Sequence, residues 1–156
     1  MQIRPLKPSE APLLRDFLYE AIFLPEGVTP PPFEIVDQPE LRLYYEDFGT
    51  GSADHCLVAD VDGSVVGAVW VRIMNDYGHI DNQTPSLAIA LYPQYRKQGI
   101  GTRLMQQMLQ LLKDEGYTQV SLSVQKANYA YRMYKKLGFE VITENDEEYL
   151  MVCKVD

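Results

Sequence analysis

Pro85-Ser86-Leu87-Ala88-Ile89-Ala90-Leu91-Tyr92-Pro93 runs into Gln94-Tyr95-Arg96-Lys97-Gln98-Gly99-Ile100-Gly101-Thr102, after which the chain turns periodic up to about residue 115. Leu87 to Leu91 are all apolar, the pattern of a strand covered on both faces, and Pro93 ends the ladder because it has no N–H to donate. Ile100, Leu104, Met108 and Leu111 then recur at helical spacing, with Met105, Leu109 and Leu112 widening the stripe. Gly99 and Gly101 leave the backbone bare where the first N–H groups of that helix lack partners, and Arg96, Lys97 and Arg103 stand close by. A strand, turn and helix of this kind suits a bound phosphate.

Other readings of these glycines are open. A tight turn with positive φ needs glycine too, in which case the basic residues are merely solvated. A nucleotide loop is incomplete here: the Gly-Lys-Ser/Thr of a Walker A loop is missing, and Leu104 stands where a dinucleotide loop has its third glycine.

Working outward, Gln2 to Leu6 alternates as a first strand, and Ser9 reads as the N-cap of a helix from about Glu10 to Phe23, with Leu13, Leu14, Phe17, Leu18, Ala21 and Ile22 as its stripe. Residues 24 to 37 carry Pro25, Gly27, Pro30, Pro31 and Pro32, which interrupt any regular element and make a long, stiff connection. Pro39 suits the first turn of a second helix, faced by Leu41, Tyr44, Tyr45 and Phe48 and ended by Gly49 and Gly51. Residues 55 to 60 and 64 to 73 are β-branched and apolar around Asp62-Gly63, the signal of an antiparallel hairpin. Residues 75 to 84 form a polar excursion before the central strand. Beyond Gly116, residues 119 to 124 alternate as a strand, Asn128 opens a helix from Tyr129 to Leu137 ended by Gly138, and residues 139 to 143 and 149 to 155 are two last strands around an acidic turn. The order is β-α-α-β-β-β-α-β-α-β-β, with no internal repeat.

A chain of 156 residues, 46% of them hydrophobic, suits one domain spanning 1–156 with a single core. No apolar run approaches the roughly 20 residues of a membrane span, and Met1 to Pro5 lack a signal peptide's apolar stretch, so a cytoplasmic location without membrane partners is expected. Cys56 and Cys153 read as buried thiols, and neither has metal-ligand spacing to His55 or His79, so no metal is expected. The net charge of −8 repels nucleic acid and draws in a cationic amine, although the same balance can serve solubility alone.

Arg96-Lys97-Gln98-Gly99-Ile100-Gly101 resembles the pyrophosphate loop, R/Q-x-x-G-x-G/A, of the GNAT superfamily of acyl-CoA-dependent N-acyltransferases. Leu91 to Arg96 resembles that family's lead-in. Asn128-Tyr129-Ala130-Tyr131-Arg132-Met133-Tyr134-Lys135-Lys136-Leu137-Gly138-Phe139 is similar to its downstream signature. The resemblance implies a mixed, mostly antiparallel α/β sheet of about seven strands flanked by about four helices, which is the order read above. It also implies acetyl-CoA as co-substrate, its pantetheine arm pairing with Ile89, Ala90 and Leu91. The pyrophosphate would sit on the N–H groups of Gln98, Gly99, Ile100, Gly101 and Thr102, with Arg96 and Lys97 adding charge and Asn128 reaching the CoA arm. Tyr134, four residues before Gly138, takes the place of the residue that protonates the departing thiolate.

One departure matters. Many family members carry a Glu or His near the start of the central strand to receive the amine's proton, whereas Pro85-Ser86-Leu87 has nothing that titrates. Glu46, Asp47, His79 and Asp81 are candidates for the base on the segments expected to wall the amine site, and a water chain would also serve. The chain thus reads as an N-acetyltransferase in which a primary amine, cationic before reaction, attacks acetyl-CoA directly. The alternatives are an acyl-CoA-binding module without turnover and an enzyme of another phosphate chemistry. A homodimer is compatible with either.

Overall fold

The structure, a computed structural model, describes residues 1–156. Its elements are β1 (Gln2–Pro5), α1 (Leu13–Ala21), α2 (Pro39–Arg42), β2 (His55–Val61), β3 (Ser64–Arg72), β4 (Ser86–Leu91), α3 (Ile100–Asp114), β5 (Gln119–Gln125), α4 (Ala130–Lys136), β6 (Glu140–Glu144) and β7 (Glu148–Lys154). The seven strands form one sheet in the order β1-β2-β3-β4-β5-β7-β6. Every neighbouring pair is antiparallel except β4 and β5.

The sheet is covered on both sides, which explains why its inner strands are apolar without alternation. Cys56, Val58, Ala68, Trp70 and Ala90 face Leu14, Phe17 and Leu18 of α1. The intervening Leu57, Val69, Val71 and Leu87 face Leu104, Met105, Met108 and Leu112 of α3. The β2–β3 turn holds Asp62 at φ 52° and Gly63 at φ 88°, and the Gly63 N–H donates to Asp60 Oδ1 at 2.8 Å. Two successive left-handed residues match the twist of a two-residue hairpin.

Three local expectations are corrected. Ser9 caps no α-helix: residues 8 to 10 form a 3₁₀ turn, Glu10 Oε1 accepts the Lys7 N–H at 2.8 Å and ties to Arg4, and α1 begins only after Pro12. The second helix is one turn, not the whole of 39 to 48, because side chains of β3 claim its carbonyls. Trp70 Nε1 donates to Tyr44 O at 2.9 Å, and Arg72 Nη1 donates to Leu43 O at 3.1 Å and Glu46 O at 2.8 Å. Arg72 also grips Asp54 at 3.0 and 3.2 Å, with the Asp54 side chain 3% exposed, so residues 43 to 54 are clamped onto the end of β3. Finally, β4 is not covered throughout. Leu87 and Ala90 are buried while Ala88, Ile89 and Leu91 are half-buried, because β4 leaves its parallel neighbour, as described next.

Candidate active site

The parallel strands β4 and β5 are in register at one position only, Ser86 opposite Ser121. That end is tightly fastened: the Ser121 N–H donates to Pro85 O at 3.0 Å, and the fully buried Ser121 hydroxyl donates to Gly78 O at 2.6 Å. Asp76 accepts from the Ser86 hydroxyl at 2.9 Å and from the Tyr44 hydroxyl at 2.8 Å. Beyond this point the strands diverge and open a gap.

The register on the other side of β4 fixes what faces that gap. Tyr92 N donates to Val66 O at 3.0 Å, and Leu91 lies opposite Gly67 and Ile89 opposite Val69. This phase makes the Leu91 and Ile89 positions the pairs that exchange no bonds with β3, so their N–H and C=O groups point into the gap. Ala90, one residue out of phase and opposite Ala68, turns its peptide toward β3 and meets the gap by its surface alone. Gly67 lets the Leu91 side chain lie close against β3: a Cβ there would stand 2.2 Å from Leu91 Cδ2 and 3.0 Å from Ala90 O, so the Leu91 side chain would have to move.

A cleft of about 1190 Å³ runs from the gap across the start of α3. It brings together Ile89, Ala90, Leu91, Arg96, Lys97, Gly99, Gly101, Thr102, Asn128 and Tyr134. Gln98 and Ile100 are not on its wall: the Gln98 side chain donates back to Gln94 O at 3.0 Å, and the Ile100 side chain is buried in the core, leaving only backbone to offer. The turn places Lys97 at φ 61° and Gly99 at φ 85°, and the first helical bond runs from Arg103 N to Gly99 O at 3.2 Å. The N–H groups before Arg103 thus have no partner within the helix, and the dipole of a 15-residue helix adds its positive end there. Arg96 is tied across the rim, its Nε donating to Leu91 O and its Nη2 to Glu20 O, each at 3.1 Å.

Although the chain is acidic, this cleft is not. Arg96, Lys97, Arg132 and Lys136 line it against one carboxylate, Glu20. Arg132 and Lys136 escaped the sequence reading, and their four-residue spacing on α4 was the available signal. The cleft is shaped and charged for a long polyanion.

A smaller cavity of about 320 Å³ opens on the far side of Ile89, between α1, the 35–44 segment and β5, and it is mostly apolar. It shares Ala21, Ile22, Phe23, Ile89, Asn128 and Tyr134 with the larger one. The two spaces therefore meet at Tyr134. Its ring is 8% exposed, and burial pushes the phenol up to about 12, so it keeps its proton at neutral pH. Asn128 accepts the Ala130 N–H at 2.9 Å and so caps α4 from the same place.

The residues proposed as a base lie elsewhere. Glu46 and Asp47 are exposed, Asp81 is exposed and accepts the Gln83 N–H, and His79 lines neither cavity. Tyr44 is the one member of the expected aromatic wall that reaches the smaller cavity, and Glu148 is there with it. No group of three or more His, Cys, Asp or Glu side chains is placed to hold a metal ion. No helix is long and apolar enough to cross a membrane.

The family model for the acetyltransferase (GNAT) family matches residues 21–139. The chain belongs to the GNAT acetyltransferases. Among relatives, this GNAT chain is 36% identical over 112 residues to an N-alpha-acetyltransferase of Sulfurisphaera tokodaii, a match covering 62% of this chain and 66% of that enzyme's length, short of two thirds. It is 29% identical over 117 residues to a putative ribosomal-protein alanine N-acetyltransferase of Bacillus subtilis, covering 70% and 74% of the two chains. The PaiA N-acetyltransferase of Thermoplasma acidophilum, solved with coenzyme A, superposes with a TM-score of 0.71 at 20% identity over 98% of each chain. The GNAT fold of this chain, with its seven mostly antiparallel strands and four helices, is the one the sequence order implied.

Proposed function

We propose that the protein transfers the acetyl group of acetyl-CoA to a primary amine by direct attack, with both substrates bound at once and all 156 residues acting as one domain. The observation that carries this reading is the meeting of two cavities at Tyr134, one basic and long, the other small and apolar. The pantetheine arm pairs with the gap-facing peptides of Ile89 and Leu91 beside Ala90. Its pyrophosphate rests on the turn and helix start from Gln98 through Thr102, with Arg96 and Lys97 as counter-charges. Binding there satisfies the Ile89 peptide groups and the Leu91 N–H, whose desolvation otherwise costs roughly 1–3 kcal/mol each, while Leu91 O already accepts from Arg96.

The thioester carbon then lies at the junction. The amine nitrogen attacks from the smaller cavity, the gap-facing N–H of Ile89, the β4 residue common to both cavities, stabilises the oxyanion, and Tyr134 gives its proton to the departing sulfur. Relatives named N-alpha-acetyltransferase and ribosomal-protein alanine N-acetyltransferase favour an amine at a peptide end. The chain's net charge of −8 draws such a cation in.

A panel of amines offered with acetyl-CoA, read by release of CoA thiol, tests this function. Turnover with a cationic amine is expected, and acetyl-CoA binding without turnover on any of them contradicts transfer. Steering by the protein's charge makes kcat/KM for the best amine fall as salt shortens the Debye length from about 30 Å to about 8 Å. A flat profile, or an anionic preferred acceptor, would remove the electrostatic part of the account.

A further inference from the structure

An amine arrives at neutral pH as an ammonium ion, and it cannot attack until one proton has gone. The smaller cavity contains one carboxylate, and it is Glu148. Glu148 opens β7 opposite Gln125, the last residue of β5, and the turn before it is fixed by Asn145. The Asn145 side-chain oxygen accepts the N–H groups of Glu147 at 2.8 Å and Glu148 at 2.7 Å, and the Asn145 N–H donates to Glu148 O at 3.0 Å. None of the ion pairs or side-chain hydrogen bonds of the protein engages the Glu148 carboxylate. It faces an apolar chamber with its charge unspent. Burial, with the neighbouring Glu147 charge, raises its pKa above the usual carboxylate range.

We propose that Glu148 receives the acceptor amine, holding the ammonium ion and then taking its first proton. This rests on the acetyl-transfer reading above. R–NH₃⁺ gives one proton to the Glu148 carboxylate, and the free amine lone pair forms the C–N bond at the thioester carbon. The tetrahedral centre loses the second nitrogen proton and collapses, breaking the C–S bond, and the thiolate takes the Tyr134 proton. The second nitrogen proton replaces that of Tyr134, and Glu148 passes the first to solvent, so one proton is released per turnover. The groups around Glu148 leave it this role. Tyr44 from the 43–48 segment is itself raised by burial and by Asp76, Tyr134 on α4 keeps its proton, and Lys126 after β5 is held by Glu144 at 2.8 Å.

The test compares parent, Glu148→Gln, Glu148→Asp and, as a control for acidic-turn charge, Asp146→Asn, with acetyl-CoA binding and a kcat/KM–pH profile for each. For Glu148→Gln we expect kcat/KM to fall about 10²-fold at neutral pH with unchanged acetyl-CoA affinity. The acid-side fall, which in the parent follows protonation of Glu148 and lies above an ordinary glutamate, should be lost. Glu148→Asp should recover part of the rate and the limb, and Asp146→Asn should match the parent. If the parent acetylates amines and Glu148→Gln keeps both its rate and its acid limb, the role of Glu148 is overturned while acetyl transfer stands. If the parent binds acetyl-CoA and acetylates nothing, the transfer reading is overturned and Glu148 falls with it.

Discussion

Replacing Tyr134 by phenylalanine is expected to lower kcat by about 10²-fold or more while leaving KM for acetyl-CoA nearly unchanged. A phenol pushed up to about 12 keeps its proton throughout the working pH range, as an acid must before it gives that proton to a leaving thiolate. Phenylalanine keeps the ring, which lies 6.0 Å from Phe139 between centroids in the core beside α4, and removes only the hydroxyl that opens on the cavities. The loss therefore falls on a step in which charge develops on sulfur and not on binding, and it appears in kcat and kcat/KM alike. Single-turnover rates check it without interference from product release. An unchanged single-turnover rate returns Tyr134 to the core as a packing residue.

Gly101→Val is expected to weaken acetyl-CoA binding by roughly 10- to 100-fold with little change in stability. Gly101 lies in the first turn of α3 with helical φ, and an added Cβ would meet Leu91 Cδ1 at 3.7 Å, Ile89 Cδ1 at 3.9 Å and Met133 Sδ at 4.0 Å, all ordinary contacts. The fold accepts the side chain, and valine is slightly the better helix former. The ligand does not, because the branched side chain fills the space where phosphate oxygens would reach the N–H groups. Losing one charge-assisted bond, at about 1.5–3 kcal/mol, gives that range at 1.4 kcal/mol per tenfold. Gly99 is the wrong place for this experiment, since its φ of 85° strains any other residue. Titration calorimetry with acetyl-CoA, alongside a melting curve, reads both halves. Parent-like affinity in a folded Gly101→Val protein would mean that the phosphates sit elsewhere.

Much of this was written locally. The hairpin announced itself through Asp62-Gly63, α3 through its apolar stripe, and the cleft through two glycines and the Asn128-to-Phe139 segment, because each depends on neighbours a few residues apart. What escaped depends on contacts across the sheet. The second helix stops after Arg42 because Trp70 and Arg72, some 30 residues on, take carbonyls that a longer helix needs. Opening of β4 on its β5 side is implied by the family resemblance alone, since it follows from a single paired position at Ser86 and Ser121, which no pattern within either strand encodes. In the sequence Glu148 belongs to an acidic turn, and only the pairing of β7 with β5 carries it to the wall of the smaller cavity. Two carboxylates near Tyr44 are likewise tied to partners distant in sequence, Asp37 to Arg15 and Asp76 to Tyr44 and Ser86.

The central claim is that acetyl-CoA enters the gap between β4 and β5 and rests its phosphates on the start of α3. Residue-resolved amide hydrogen exchange, with and without acetyl-CoA, tests it most directly. Ile89 and Leu91 have N–H groups that face the gap, and those of Ile100, Gly101 and Thr102 point out of the helix start, so all five should exchange markedly more slowly once acetyl-CoA is bound. The Ala90 N–H, which faces β3, should change least along β4. Saturating acetyl-CoA that leaves Ile89 and Leu91 exchanging as before, with protection appearing on another part of the protein, would contradict the account.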